Sequence, residues 1–457
     1  MKASQTLFCE RALLPEGWAN DVTIGVDQSG SIASIECGTV LGQDSTLLAG
    51  PVVPALPNLH SHGFQRAMAG LAEIAGSTVD SFWTWRDTMY RLVGQMSLDD
   101  VEAVTTKLYS ELLKGGFSQV VEFHYFHHAL AEVGRSDGFE MSSRILRSAE
   151  TAGIGLTHLP VFYAHAGFGG LEPNAGQRPF IHNIDSFLAL LDRLTPACKA
   201  ADVKLGLAIH SLRAATPDEM RAVLSSEQTG GPIHIHVAEQ EREVEDCLAW
   251  SGSRPVSYLL DEFAVDERWC AIHATHMTAE ETARLAKSGA VAGLCPATEA
   301  NLGDGIYPAS EFLAQGGRFG IGTDSHVATS VAEELRVLEY GQRLRDRRRN
   351  RLVSGPGASV GRTLIDASLS GGAQAAGLKT SGIRVGARAD LVVLDGANPF
   401  IVAAKDDQIL DRWIFALGSE AVRDVMVRGD VVVQEGRHWA EERINSDFAR
   451  ALKRILQ

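Results

Sequence analysis

Between residues 7 and 48 apolar and polar positions alternate in short stretches broken by turns; Val22-Thr23-Ile24-Gly25-Val26 and Ser31-Ile32-Ala33-Ser34-Ile35 flank Asp27-Gln28-Ser29-Gly30. Neighbouring side chains of a strand point to opposite faces, so this alternation predicts a small β-domain with one covered face. From Pro51 the texture changes. Apolar runs at 52–59, 119–123, 154–163, 204–209, 233–238, 270–274, 290–294 and 318–322 are separated by amphipathic stretches such as 101–113. Continuous apolar runs alternating with helical periodicity are the mark of parallel strands buried on both faces. Eight of them predict an α/β fold, a closed (β/α)8 TIM-like barrel whose site lies on the loops at the strand C-termini. Helical patterns at 332–345 and 362–376 are followed by renewed alternation at 389–395 and 422–433, closed by Gly436. Strand texture at both ends suggests one composite β-sandwich. The expected organisation is therefore residues 1–51 as its N-terminal part, 52–378 as the barrel, and 379–457 as its C-terminal part with a terminal helix.

A chain of 457 residues is about three times the ~150-residue prior for one domain, which suits a barrel plus a smaller domain. Hydrophobic residues at 45% and charged residues at 22% are ordinary for a globular chain and exclude whole-chain disorder. The balance of 42 basic against 57 acidic residues gives −15, a field that repels phosphate backbones and anionic membranes. No nucleic-acid or membrane partner is expected, and the basic run Arg343-Leu344-Arg345-Asp346-Arg347-Arg348-Arg349-Asn350-Arg351 reads as a solvated helix end. The six cysteines, with no Cys-x-x-Cys pair, indicate neither a disulfide framework nor a thiolate zinc site. No secretory signal pattern opens the sequence and no apolar run reaches ~18 residues, so the expected location is the cytoplasm.

Chemistry gathers at the ends of the runs. The first ends in Asn58-Leu59-His60-Ser61-His62, and alternation points His60 and His62 to one face, where two imidazoles can share a metal. Alone, a His-x-His motif is more often two unremarkable histidines. The fifth run, however, continues as His234-Ile235-His236-Val237-Ala238-Glu239, the sixth ends Ile272-His273-Ala274-Thr275-His276, and the eighth ends Thr323-Asp324-Ser325-His326. A barrel brings these ends to one mouth. His60, His62, His236 and Asp324 then form a nitrogen and oxygen donor set suited to Zn²⁺ or Fe²⁺.

With these motifs, the chain resembles the mononuclear deaminase branch of the amidohydrolase superfamily over nearly its whole length, including the tail Gly386-Ala387-Arg388-Ala389-Asp390-Leu391-Val392-Val393-Leu394-Asp395. The resemblance implies one metal per subunit, zinc or alternatively Fe²⁺, and a proton-shuttling Glu239 three residues after the metal histidine His236. Binuclear relatives use a bridging Lys or Glu from the fourth strand, and here the only Lys of that run, Lys204, sits at its wrong end. A bound divalent ion would lower the pKa of a water toward ~7. Glu239, His273 and Asp324 are the candidate catalytic groups, with their division of proton transfer left open.

The segments Ser81-Phe82-Trp83-Thr84-Trp85-Arg86, Glu122-Phe123-His124-Tyr125 and His210-Ser211-Leu212-Arg213 add two Arg and a Tyr to the expected mouth. Arg suits bidentate carboxylate recognition, so Arg86 and Arg213 fit a small dicarboxylate substrate, although each alone is as readily a loop salt bridge. Gln65, Tyr125 and His210 are the supporting contacts. Together with Gly63-Phe64-Gln65-Arg66 and Thr298-Glu299-Ala300-Asn301-Leu302-Gly303-Asp304-Gly305, these segments closely resemble the branch that deiminates N-formimino-L-glutamate in histidine degradation. That resemblance implies N-formyl-L-glutamate and ammonia as products and a homodimer; Gly63, where a slightly larger residue is expected, departs from it mildly. Two alternatives stand beside it: a deaminase of another C=N substrate, such as an aminated purine or a guanidino acid, and a non-catalytic scaffold, which would normally have lost metal donors.

Overall fold

A computed structural model describes residues 5–75, 80–134, 136–225 and 230–457. The N-terminal segment forms β1 (Gln5–Leu14), β2 (Gly17–Val26), β3 (Ile32–Glu36), β4 (Ser45–Leu47) and β5 (Val52–Pro54). The barrel strands are β6 (Leu56–Ser61), β7 (Phe117–His124), β8 (Gly155–Phe162), β9 (Lys204–Leu205), β10 (Leu207–Ser211), β11 (Ile233–Val237), β12 (Trp269–His273), β13 (Val291–Leu294) and β14 (Arg318–Ile321). The chain returns through β15 (Leu391–Leu394), β16 (Val422–Val427), β17 (Asp430–Gln434) and β18 (Arg437–His438), and ends in the helix Glu441–Ile455.

The strand order β14-β13-β12-β11-β10-β8-β7-β6 is parallel throughout, with β9 added beside β8. The ring closes through the residues following β14: Thr323 N and Asp324 N donate to the His60 carbonyl at 3.1 and 3.0 Å, and Ser61 bridges to Asp324. Asn58 locks this seam, its Nδ2 donating to Thr323 Oγ1 at 2.7 Å and its Oδ1 accepting from Thr323 N at 3.1 Å. Buried amide groups must find partners, and at this seam a side chain supplies them beside the residues that carry the chemistry.

The second sheet runs β18-β17-β16-β15-β5-β1-β2-β3, with β4 beside β1, so strands from the two ends of the chain share it. Alternation divides its side chains: Val52, Leu391 and Val393 enter the small core with Leu7, Cys9, Ile24 and Met426, whereas Val53, Val392 and Leu394 enter the large core of the barrel. The run 52–59, read as one barrel strand, is divided here. Val52–Pro54 pairs with β15 and Leu56–Ser61 with β7, the chain changing sheets at Ala55. The run 204–209 also breaks, at Gly206, where a Cβ would stand 2.4 Å from the Pro232 carbonyl.

The helices take their limits from local chemistry. Leu98–Lys114 starts at Ser97, which caps Asp100 N while the Asp100 carboxylate accepts from Ser97 N, and it buries Val101, Val104, Leu108 and Leu112 at helical spacing. Val331–Asp346 ends within the basic run, where Arg347 adopts φ 54°. No helix among the described residues is long and apolar enough to cross a membrane.

Candidate active site

Four strand ends deliver the donors. β6 supplies His60 and His62, β11 His236, β12 His273, and the turn after β14 Asp324; all five residues are at most 6% exposed. Asp324 Oδ1 lies 3.2 Å from His62 Nε2 and 3.5 Å from His60 Nε2, and His60 Nε2 is 3.0 Å from His236 Nε2. Tetrahedral ligation with metal–donor distances near ~2.1 Å spaces its donor atoms by about 3.4 Å, so this set has the size of a mononuclear site. Burial holds His60 down to about 3 and His236 well below the usual imidazole range, the neutral form that ligation needs. Burial would raise Asp324, yet the imidazoles of His60 and His62 beside it hold it well below the carboxylate range. His62 Nδ1 donates to the Phe123 carbonyl at 2.9 Å, which leaves the Nε2 lone pair facing inward. The residues thus fit a single borderline-hard divalent cation.

His273 also lies within donor range of His60 and His236, its Nε2 3.7 Å from Asp324 Oδ2 and 3.9 Å from Glu239 Oε1. Its Nδ1 bonds Glu299 Oε1 at 3.2 Å. Burial alone would depress His273, but Glu239, Glu299 and Asp324 overcome it and raise the imidazole to about 10. Glu239 is lifted to about 7 by burial, which Asp324 and Glu243 reinforce and His273 and Arg213 oppose. Ala238, His273, Ala274, Asp324 and His326 all have φ between 46° and 66°. Such left-handed conformations are unfavourable for residues bearing a Cβ, and their concentration at these strand ends marks a place where fold stability is spent on placement.

The cavity over the donors is lined by Gln65, Arg86, Tyr125, His210, Arg213 and Glu239, with His62, His236, His273 and Asp324 at its floor. Every site residue expected from sequence therefore falls in one place, His60 packing against His62 and His236 just beneath. Arg86 lies over Trp83, 4.5 Å from the ring centroid, and the Nε atoms of Arg86 and Arg213 are buried without a partner. Gln65 Nε2 donates to Tyr125 Oη at 2.7 Å, leaving Gln65 Oε1 open. His210 Nδ1 sits 3.2 Å from Ser211 Oγ and its ring packs on Tyr163. Two guanidiniums and a set of metal donors thus face one small space.

Residues 52–432 match the amidohydrolase family. The chain belongs to the amidohydrolase family. Residues 4–45 of this amidohydrolase also match the N-terminal domain of formimidoylglutamate deiminase. It is 54% identical over 450 residues to the formimidoylglutamate deiminase of Pseudomonas aeruginosa, covering 98% of this chain and 99% of that one. A crystal structure of an amidohydrolase from Brucella melitensis, 49% identical, superposes with a TM-score of 0.95 over 99% of this chain and 100% of that chain. At 20% identity, a zinc-bound adenosine deaminase from Xanthomonas campestris shares the fold, with a TM-score of 0.83 over 99% and 98% of the two chains. The amidohydrolase is therefore an enzyme, a hydrolase by its kinship.

Several residues of the amidohydrolase site carry no role in the reading from sequence. Glu122 binds Gly63 N and Ser61 Oγ, each at 2.6 Å, and so fixes the loop that follows His62. His326 Nε2 accepts from His62 N at 3.1 Å. Glu299 orients His273, and Glu243 braces the turn that carries Glu239. Tyr90, Tyr163 and Phe180 complete the wall. The signal available in sequence was position alone, since Glu122 lies within the second apolar run and His326 two residues past Asp324.

Proposed function

We propose that the amidohydrolase deiminates N-formimino-L-glutamate hydrolytically, giving N-formyl-L-glutamate and ammonia in histidine catabolism, with one zinc ion per subunit, Fe²⁺ being the alternative metal. The observation that carries this reading is the pair of guanidiniums, Arg86 and Arg213, whose buried Nε atoms have no partner, lining the one cavity that has the metal donors at its floor. The 54% identity to a formimidoylglutamate deiminase supports it. On the same reading the enzyme is a cytoplasmic homodimer.

His60, His62, His236 and Asp324 would hold the metal, which when bound supplies Lewis acidity and makes a water acidic near neutral pH. Arg86 and Arg213 bind the two carboxylates of the glutamate and orient the formimino carbon over the floor of the cavity. Glu239 takes a proton from the attacking water as the C–O bond forms and delivers it to the amidine nitrogen. The C–N bond then breaks, ammonia leaves, and the remaining hydroxyl proton passes to the freed Glu239 carboxylate as the formyl C=O forms. His273, held by Glu299, donates a hydrogen bond to the oxygen that becomes the formyl carbonyl. A formimino group is cationic near neutral pH, so Glu239 and Asp324 also favour its entry electrostatically.

The test is ammonia release by zinc-loaded protein from N-formimino-L-glutamate beside N-formimino-L-aspartate, guanine and N-carbamoyl-L-glutamate. Release from the first with N-formyl-L-glutamate as product is the expected result. Turnover of guanine instead would replace the dicarboxylate reading by a purine one.

A further inference from the structure

The substrate-facing Arg213 and the backbone of Glu239 share one partner. Glu243 stands in the first turn of the helix Glu241–Ser251 and is 1% exposed. Its Oε1 accepts from Ala238 N at 3.1 Å and its Oε2 from Glu239 N at 3.2 Å, while Oε2 lies 3.8 Å from Arg213 Nη2. Both amides belong to the turn that leaves β11 after His236, and Ala238 holds φ 52° there. Residues with a Cβ keep this conformation only where the surroundings over-determine it. Without Glu243 the two amides of that turn lose the acceptor that fixes them, and Arg213 loses its buried counter-charge.

We propose that Glu243 is a positioning residue that couples carboxylate capture by Arg213 to the placement of Glu239. The inference rests on the proposed function and adds to it a link between binding and proton transfer. When a substrate carboxylate draws on the Arg213 guanidinium, the strain falls on Glu243 and passes to the two amides that aim Glu239. Arg86 makes no ion pair with Glu243 among the described residues: it stacks on Trp83 and Tyr90, and Trp83 in turn lies against Arg242 at 5.0 Å.

Glu243→Gln keeps the shape but sets an NH2 group against one of the two amides and removes the charge. We expect it to lower kcat and raise KM by about tenfold each, the effect of one disrupted buried hydrogen bond on each side. In an Arg213→Met background the same change should still lower kcat and leave KM where Arg213→Met has put it, a non-additivity confined to binding. Amide hydrogen exchange at residues 238 and 239 should quicken in Glu243→Gln and remain unchanged in the exposed control Glu245→Gln. Normal kcat, KM and exchange in Glu243→Gln would overturn the proposal, as would equal effects on KM with and without Arg213. If Glu243→Gln is recovered only insoluble, Arg213→Met decides: it should lower kcat as well as raise KM and quicken exchange at 238 and 239, and a pure KM effect refutes the coupling. Failure of the wild-type enzyme to deiminate N-formimino-L-glutamate would instead sink the substrate reading, and the exchange measurements would then support or overturn the Glu243 link on their own.

Discussion

Glu239 occupies a buried position with its carboxyl lifted to about 7, where a group can both accept and deliver a proton near neutral pH. It is not among the grouped donors that could hold a metal. Glu239→Gln should therefore retain its metal by elemental analysis while ammonia release falls by roughly 10²–10⁴-fold, the usual scale of general acid–base catalysis. Turnover at the wild-type rate would remove Glu239 from the mechanism. On the proposed function Arg86 belongs to the binding side. Its Nε is buried without a partner, and its guanidinium lies over the Trp83 ring at 4.5 Å from the centroid. A charge-assisted hydrogen bond contributes about 1.5–3 kcal/mol, so Arg86→Met should raise KM by roughly 10- to 100-fold with little change in kcat. Steady-state kinetics on the glutamate substrate checks this, and an unaltered KM would show that the second carboxylate is held elsewhere.

At the scale of elements, the barrel depends on backbones packed in direct contact. The helix Val360–Ala375 crosses β14 through Gly371 and Gly372, and a Cβ at Gly371 would stand 2.0 Å from the Phe319 carbonyl oxygen. The helix must then lift off the sheet. Gly371→Ala should lose at least ~1–3 kcal/mol in denaturant unfolding, the cost of overpacking a core, whereas the exposed neighbour Ser370→Ala should be nearly neutral. A Gly371→Ala protein as stable as wild type would contradict the close approach. The strands themselves were readable because a parallel strand buried on both faces is a continuous apolar run, and the donors were readable because they end such runs. What could not be read was the division of 52–59 and 204–209, since no polar residue or turn signal beyond a single Ala55 or Gly206 separates the pieces, and their hydrogen-bonding neighbours are what differ. Glu243 and Glu299 were hidden for another reason. Acidic residues in the first turn of a helix are common at solvated N-termini, and nothing in the local pattern tells a buried, bonded carboxylate from an exposed one.

Across the whole molecule, histidine burial couples stability to pH. Beside the donor cluster lies a second group, His124, His127, His128, His158 and His182, at most 6% exposed and packed ring against ring. Burial pushes His158 and His182 to about 3 and His127 well below the usual range. The unfolded chain takes up protons near pH 6.5, where the folded chain does not. Each such group therefore contributes stability that is complete above about pH 6.5 and lost at roughly 1.4 kcal/mol per pH unit as the pH falls toward 3. Asp304, raised to about 9 by burial and by Glu239, works with the opposite sign, gaining stability as the pH falls through 9. A single substitution separates the two contributions. His158 bonds Ser142 Oγ through Nε2 at 3.1 Å, a position that the amide of Gln can take over without a titratable group. His158→Gln should be destabilised at pH 8, and its deficit relative to wild type should shrink by about 1.4 kcal/mol per unit below pH 6.5. Denaturant unfolding of both proteins from pH 8 to 5 measures that difference directly, and a deficit independent of pH would mean that His158 titrates alike in the folded and unfolded chains.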